Sequence, residues 1–330
     1  MINAAIVGLG WWGQQHVVSM QDSARLRYRR AVSLEPDRVQ DFARQHALSL
    51  GTSYEEILGD ESIQAVVLCT PHLLHSQQTV AAARAGKHVY CEKPLSLTRA
   101  GALDAVLACK SAGVVLAVGH DKRLNPGFVA FKAALQRADI GPLLSVESNA
   151  NRDTVDVSSG SWKTAGDNAG SLGLLNYGVH RIDALIGLFG PVHRVFASRS
   201  AGKVPGSPGV DATAVVMEFH SGLLGYLGTV SRSAPFSRFQ VFGPEGSVLM
   251  REWNEVHQTV RGRSPQMQSY ADIDTVRANV ELFAQAIDHG HEFHISGQEM
   301  VDTAAVVEAC LASLKSAQAV EVVTGPVALR

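Results

Sequence analysis

Short runs of apolar, β-branched residues recur between residues 2 and 118, each followed by a stretch of helical length, and this alternation limits the fold more than any other feature of the chain. The runs are Ile2–Val7, a weaker one at 28–33, Ala65–Leu68, His88–Cys91 and 114–118. Residues 14–20, Pro36–Gln45, 74–85 and 98–112 carry apolar residues at helical spacing, and Pro36 suits a first turn. Strands alternating with helices predict a parallel sheet covered on both faces.

The first run ends in "VGLGWWG", with Gly8, Gly10 and Gly13 in a G-x-G-x-x-G frame. Alone, such a triplet is equally an ordinary tight turn. After a strand and before a helix it predicts a dinucleotide cradle, in which Gly8 turns the chain, Gly10 admits a pyrophosphate and Gly13 lets the helix pack on the sheet. Trp11 and Trp12 fill the two permissive positions, where side chains can point off the phosphate path. One of them either walls the cofactor cleft or packs against the partner domain. The ribose is read about 20 residues further on, which places Ser33 or Leu34 there, with Arg38 in the next turn. A small neutral residue followed by arginine favours NADP over NAD, whereas Glu35 would favour NAD if the strand ended later.

With 330 residues, two domains are expected, divided near residue 122 into 1–121 and 122–330. A formal net charge of −2 with interspersed charges argues against nucleic acid as a partner. Neither a long apolar run nor a leader pattern is present, so no membrane association is expected and the cytoplasm is the expected location. Cys69, Cys91, Cys109 and Cys310 lack C-x-x-C spacing and read as reduced, buried thiols. Beyond Arg123, segments such as "LLSVESNAN", "HRVFASRS", "ATAVVMEFHS" and "RFQVFGPEGSVLM" are strand-like and joined by glycine or proline turns, which predicts a large antiparallel sheet. Residues 273–289 and 301–318 read as helices. His289, His291 and His294 in "DHGHEFHIS" read as a solvated connection, not as metal ligands.

The motifs "VGLGWWG", "TPHLLH", "AGKHVYCEKPL", "VGHDKRLNP" and "GSLGLLNYGVHRID", in that order, resemble the Gfo/Idh/MocA family of NAD(P)-dependent oxidoreductases over at least residues 2–250. The resemblance implies a Rossmann α/β domain followed by an α+β domain with a large, mostly antiparallel open sheet. It implies that Thr70, Pro71, His72 and His75 line the ribose and nicotinamide side of the cofactor, and that Glu92 supports the cofactor or Lys93. Lys93 would contact the reacting oxygen, and Pro94 would set a turn that often carries a cis bond.

The residues themselves agree in kind, since a lysine at the C-terminal end of a buried parallel strand lies at the edge of the ligand cleft; a simple Lys93–Glu92 pair is the alternative. His180 and Asp183 share a helix face, and an imidazole suits proton exchange with a substrate hydroxyl. The resemblance also implies that residues 151–170 cover the nicotinamide and that the outer sheet face joins subunits in a homodimer or homotetramer. Arg123, Trp162, Lys163 and Tyr177 are then substrate contacts or structural residues. Many family members have aspartate where this chain has Asn176; an amide holds a hydroxyl but is no base at neutral pH, which weakens an inositol-dehydrogenase assignment.

The expected function is hydride transfer between NADP or NAD and a secondary alcohol or ketone of a sugar, cyclitol or related polyol. A non-sugar carbonyl or cyclic dihydrodiol is the second expectation. A non-catalytic NADP-binding sensor is the third.

Overall fold

The apolar runs of the first third become six parallel strands: β1 (Ile2–Val7), β2 (Leu26–Val32), β3 (Ser49–Gly51), β4 (Ala65–Leu68), β5 (His88–Cys91) and β6 (Leu116–Val118). The computed structural model describes residues 1–137, 140–153, 172–201 and 211–327. The strand order is β3-β2-β1-β4-β5-β6, so the direction of winding reverses between β1 and β4. Ile6, Val66, Val67 and Leu68 are fully buried, each worth about 1.5–3 kcal/mol, as strands covered on both faces require. The helices between them are α1 (Trp11–Ser19), α2 (Pro36–Gln45), α3 (Tyr54–Leu58), α4 (His75–Arg84) and α5 (Arg99–Ala112). α1 starts three residues earlier than its apolar spacing suggested, because the tryptophans themselves form the first turn. The short β3 and α3 carry too few apolar residues to show a period.

At the carboxyl ends of these strands, the Gly8 N–H donates to Val32 O at 2.9 Å and the Cys69 N–H to Val7 O at 2.8 Å. The ends of β1, β2 and β4 are therefore level, and the crevice at the switch point opens above them.

The chain forms two compact units, and the first includes more than the amino-terminal 121 residues: Asp274–Ala304 also belongs to it. Helix α8 (Thr275–His289) lies in this stretch and carries Asn279. Asn279 Nδ2 donates to Tyr90 Oη at 2.9 Å and to Val118 O at 3.0 Å, while its Oδ1 accepts from His294 Nε2 at 2.9 Å. Thr275 Oγ1 donates to Asp121, and the Phe283 ring meets Tyr90 edge-on at 5.9 Å. His294 stays exposed, as do His289 and His291, while its Nε2 reaches the buried Asn279.

The second unit comprises Lys122–Ile273 and Ala305–Gly325. Its described strands are β7 (Ser145–Asn151), β8 (Val192–Ala201), β9 (Asp211–Phe219), β10 (Leu224–Val230), β11 (Phe236–Gly243), β12 (Gly246–Arg251), β13 (Glu255–Val260), β14 (Gln266–Ser269) and β15 (Val320–Glu321). They form one sheet in the order β14-β13-β12-β11-β7-β10-β9-β8-β15. All neighbours are antiparallel except β7 and β10. Burial alternates along β7 and β11, the period-two signature of a sheet with one covered face. Helices α6 (Pro126–Gln136) and α7 (Val179–Phe189) supply Phe131 and Phe189, whose rings lie 5.3 and 6.5 Å from that of Phe239. The opposite face carries exposed Phe196, Val216, Leu224, Tyr226 and Phe236. The last long helix, α9, spans Gly297–Ser316. Among the described residues no helix is long and apolar enough to cross a membrane.

Replacing Asn279 with alanine strips buried partners from Tyr90, Val118 and His294 together. The expected loss is about 2–3 kcal/mol of unfolding free energy, read from urea denaturation followed by far-ultraviolet circular dichroism.

Candidate functional site

The glycine turn has a separate steric reason at each position. Gly8 has φ of +94°, and a Cβ there would stand 2.6 Å from Cys69 O. A Cβ on Gly13 would lie 2.1 Å from Gly8 O, so α1 can rest on the strand end only with glycine here. At Gly10 a Cβ would meet nothing within 4 Å. Gly10 caps α1 without a side-chain hydrogen bond, leaving the first-turn N–H groups of α1 directed at open space. That donor set at a positive helix end fits a pyrophosphate, and the residues present therefore suit a dinucleotide cofactor.

The tryptophans diverge. Trp11 is 71% exposed, whereas Trp12 turns inward, its ring edge-on to His16 at 5.9 Å. Residues four apart share a helix face, so Trp12 and His16 face inward together.

At the end of β2, Ser33 Oγ accepts the Glu35 N–H at 3.2 Å. Leu34 is 86% exposed, and the Glu35 carboxylate reaches Arg38 at 3.2 Å on an exposed surface.

The loop after β4 is held from within. Thr70 Oγ1 donates to Gln78 Oε1 at 2.5 Å. Following Pro71, His72 begins a single 3-10 turn, His72–Leu74. His75 is wholly buried, with Nδ1 2.7 Å from Pro94 O and Nε2 2.8 Å from Thr70 O. Burial pulls its imidazole below the usual value, against the two carbonyls. The resemblance had set His75 beside the cofactor, but a ring with no exposed surface cannot touch one. It ties the loop after β4 to the turn after β5.

That second turn contains Glu92, Lys93 and Pro94, with the Lys93–Pro94 bond cis. Glu92 is 6% exposed. Its Oε1 accepts from His16 Nε2 at 2.9 Å, and its Oε2 accepts the Lys93 N–H at 3.2 Å. Burial raises the Glu92 pKa, but the hydrogen bond from His16 and the Lys93 charge outweigh it and hold the carboxyl at about 2. A Cβ on Gly119 would stand 2.6 Å from Glu92 Oε1, so the carboxylate fits only above a glycine. His16 and Gly119 escaped sequence reasoning. Their signal was spacing: His16 follows Gly13 by three, and Gly119 directly follows β6.

In the second unit, a π-helical turn at Leu174–Gly178 carries Asn176 and Tyr177 and runs directly into α7, where His180 is second. Such turns are rare and cluster at functional sites. A Cβ on Gly173 would lie 2.8 Å from Thr229 Oγ1, so this turn presses close on β10. His180 is 8% exposed. Arg152 Cζ lies 6.0 Å from the Tyr177 ring centroid.

Arg123 is engaged elsewhere than expected of a substrate contact. Its Nε and Nη2 donate to Asp183 Oδ2 and Oδ1, both at 2.7 Å, and Nη2 also reaches Asp183 O at 2.7 Å. Their side chains are 11% and 2% exposed, so the guanidinium serves to anchor α7. Trp162 and Lys163 lie outside the described residues, as do most of residues 151–170. Among the described residues no group of three or more metal-ligating side chains occurs.

Comparison with known proteins matches two family models to the chain. "Oxidoreductase family, NAD-binding Rossmann fold" (GFO_IDH_MocA) covers residues 2–120, and "GFO/IDH/MocA C-terminal domain" covers residues 128–249. The 1,5-anhydro-D-fructose reductase of Ensifer adhaerens is 32% identical over 286 residues, 83% of this chain and 84% of that protein. The 2,7-anhydro-N-acetylneuraminate hydratase of Escherichia coli (strain K12) is 28% identical over 233 residues, 69% of this chain and 61% of that protein, so this match spans less than two thirds of the relative. Levoglucosan dehydrogenase, solved with NADH and L-sorbose, has the same fold, with a TM-score of 0.85 over 98% of this chain and 99% of that one at 22% identity.

The Arg123–Asp183 clamp predicts the effect of Arg123→Met. A buried carboxylate left without its partner costs about 3–5 kcal/mol, and chemical denaturation should register that loss in the absence of any ligand. A variant as stable as the parent would show that the clamp does not anchor α7.

Proposed function

Because the chain belongs to the GFO/IDH/MocA family of oxidoreductases, we propose that it moves hydride between a nicotinamide cofactor and a secondary alcohol or ketone carbon of a sugar, cyclitol or related polyol. The observation that carries this reading is the Glu92–Lys93 turn at the carboxyl end of β5, beside the switch-point crevice and a glycine turn open at Gly10. The anhydro-sugar relatives support the substrate class.

A bound nicotinamide supplies the hydride donor or acceptor at its C4. Gly8, Gly10 and Gly13 with the first turn of α1 hold the pyrophosphate, and Thr70, Pro71 and His72 stand along its path. Lys93 directs its ammonium at the reacting oxygen and stabilises the alkoxide that develops as hydride leaves. His180 takes the hydroxyl proton in oxidation and returns it in reduction. Asn176 can donate to and accept from a substrate hydroxyl but exchanges no proton with it. Tyr177 completes the described substrate contacts. Asp183, bound to Arg123, keeps α7 in place and thereby the His180 backbone.

The cofactor is read as NADP in preference to NAD. Ser33 places no carboxylate at the end of β2, and Arg38 can exchange its exposed pair with Glu35 for a 2′-phosphate. The open sheet face, with Phe196, Val216, Leu224 and Tyr226 exposed, suits a second copy of the chain, giving a homodimer or homotetramer.

The test mixes the protein with NAD⁺ or NADP⁺ and a panel of anhydro-sugars, sugars, cyclitols and aromatic dihydrodiols, following reduced-nicotinamide absorbance. Turnover with a sugar or cyclitol is expected, falling by about 10²–10⁴-fold in Lys93→Met and in His180→Ala. Full activity in Lys93→Met would overturn the assignment, turnover of dihydrodiols alone would move the substrate class, and tight cofactor binding without turnover in either direction would indicate a sensor. For the cofactor, Arg38→Ala should weaken NADP⁺ about tenfold while leaving NAD⁺ unchanged, and Ser33→Asp should favour NAD⁺. Equal loss of both cofactors in Arg38→Ala would contradict the 2′-phosphate role.

A further inference from the structure

His16 lies in the glycine-turn helix and is wholly buried, with no surface open to a ligand. Its Nε2 nevertheless donates to the carboxylate whose other oxygen holds the Lys93 backbone N–H. Trp12 packs against the ring from one side and Tyr90 from another, at 5.9 and 5.4 Å, both edge-on. The imidazole is therefore locked in orientation, and the Glu92 carboxylate is confined between it and Gly119.

We propose that His16 is a positioning residue for Lys93, acting through Glu92, so that the helix bearing the phosphate turn also sets where the lysine stands and how firmly it keeps its proton. This rests on the reading of Lys93 given above. Glu92 is buried enough that desolvation alone favours its neutral form; the His16 hydrogen bond is among the interactions that keep it ionised. An ionised Glu92 beside Lys93 favours the ammonium form of the lysine. Without the His16 bond the carboxylate, still ionised where a lysine titrates, is no longer held beside the Lys93 N–H, which weakens that support.

The other groups facing Glu92 do not take over this role. Tyr28 on β2, Cys69 after β4, and Tyr90 and Cys91 on β5 are all pushed above their ordinary values, chiefly by burial, and stay neutral near neutral pH. His75 on α4 is pulled down by burial.

The deciding measurement needs neither cofactor nor turnover. Acetic anhydride reacts only with an unprotonated amine, so labelling of Lys93 read by mass spectrometry between about pH 6 and about pH 11 gives its midpoint in the free protein. His16→Asn and His16→Gln bury similar neutral amides and differ in reach: the glutamine amide nitrogen can stand where Nε2 stood, and the asparagine amide cannot. The midpoint should fall by about one pH unit in His16→Asn and in Glu92→Gln, and should stay at the parental value in His16→Gln. A fall in Glu92→Gln without one in His16→Asn would overturn the proposal, as would equal falls in both His16 variants or no fall in any. Should His16→Asn not fold, Gly119→Ala displaces the same carboxylate and should lower the midpoint; an unmoved midpoint there would equally overturn it. Activity surviving in Lys93→Met refutes the catalytic role of Lys93 instead, and leaves the midpoint comparison a valid test of how His16 acts.

Discussion

The Glu92 carboxylate is a charge held almost entirely out of water, and several otherwise separate features of the first unit exist around it. Burial raises its proton affinity; the His16 hydrogen bond and the Lys93 charge outweigh this and keep it ionised. Each of these partners belongs to a segment with a task at the strand ends. Trp12 and His16 extend the glycine turn, and Lys93 heads the turn after β5. Gly119 is bare because the carboxylate rests on it. A buried charge tolerates few geometries, since any loosening exposes its desolvation cost. The strand-end loops are consequently tied to one another and not merely adjacent.

His75 adds a second tie of the same kind, between the loop after β4 and Pro94. A neutral imidazole carries one N–H, so it can donate to only one of its two carbonyls at a time. Both histidines therefore act behind the site, fixing backbone that faces the crevice. The second unit uses a parallel device: Arg123 grips the Asp183 side chain and backbone together, and α7 is held at the end of the π-helical turn that bears Asn176. In each unit a buried carboxylate, Glu92 or Asp183, fixes a segment at the end of a strand or turn through its hydrogen bonds.

The fold class was legible because parallel strands covered on both faces must be nearly continuously apolar, and β4 is so over the whole of Ala65–Leu68 and β5 is buried from Val89 to Cys91. The glycine frame was legible too, since close backbone approach excludes a Cβ at Gly8 and Gly13 and the sequence records that exclusion directly. Helix boundaries were less so: Trp11 and Trp12 gave no periodic signal because one faces solvent and the other a polar cluster. Arg123 and His75 looked like ligand contacts because a charged or aromatic polar residue near a motif reads the same whether it faces solvent, substrate or a buried partner.

What the sequence determined by itself was thus the order of the strands' chemistry: where apolar runs fall, where glycine is obligatory, and which lysine ends a buried strand. These are local properties, encoded by residue type and spacing within a few turns. Only the tertiary structure decided which polar residues serve the fold. His16 and Glu92 are 76 residues apart in the chain, Arg123 and Asp183 60, and Asn279 and Tyr90 189, and no local period connects them. The return of α8 to the first unit was hidden for the same reason, because its docking rests on Asn279, Thr275 and Phe283 meeting partners brought near by folding. A buried polar group must find its partner wherever the chain brings one, and that pairing is a property of three-dimensional packing.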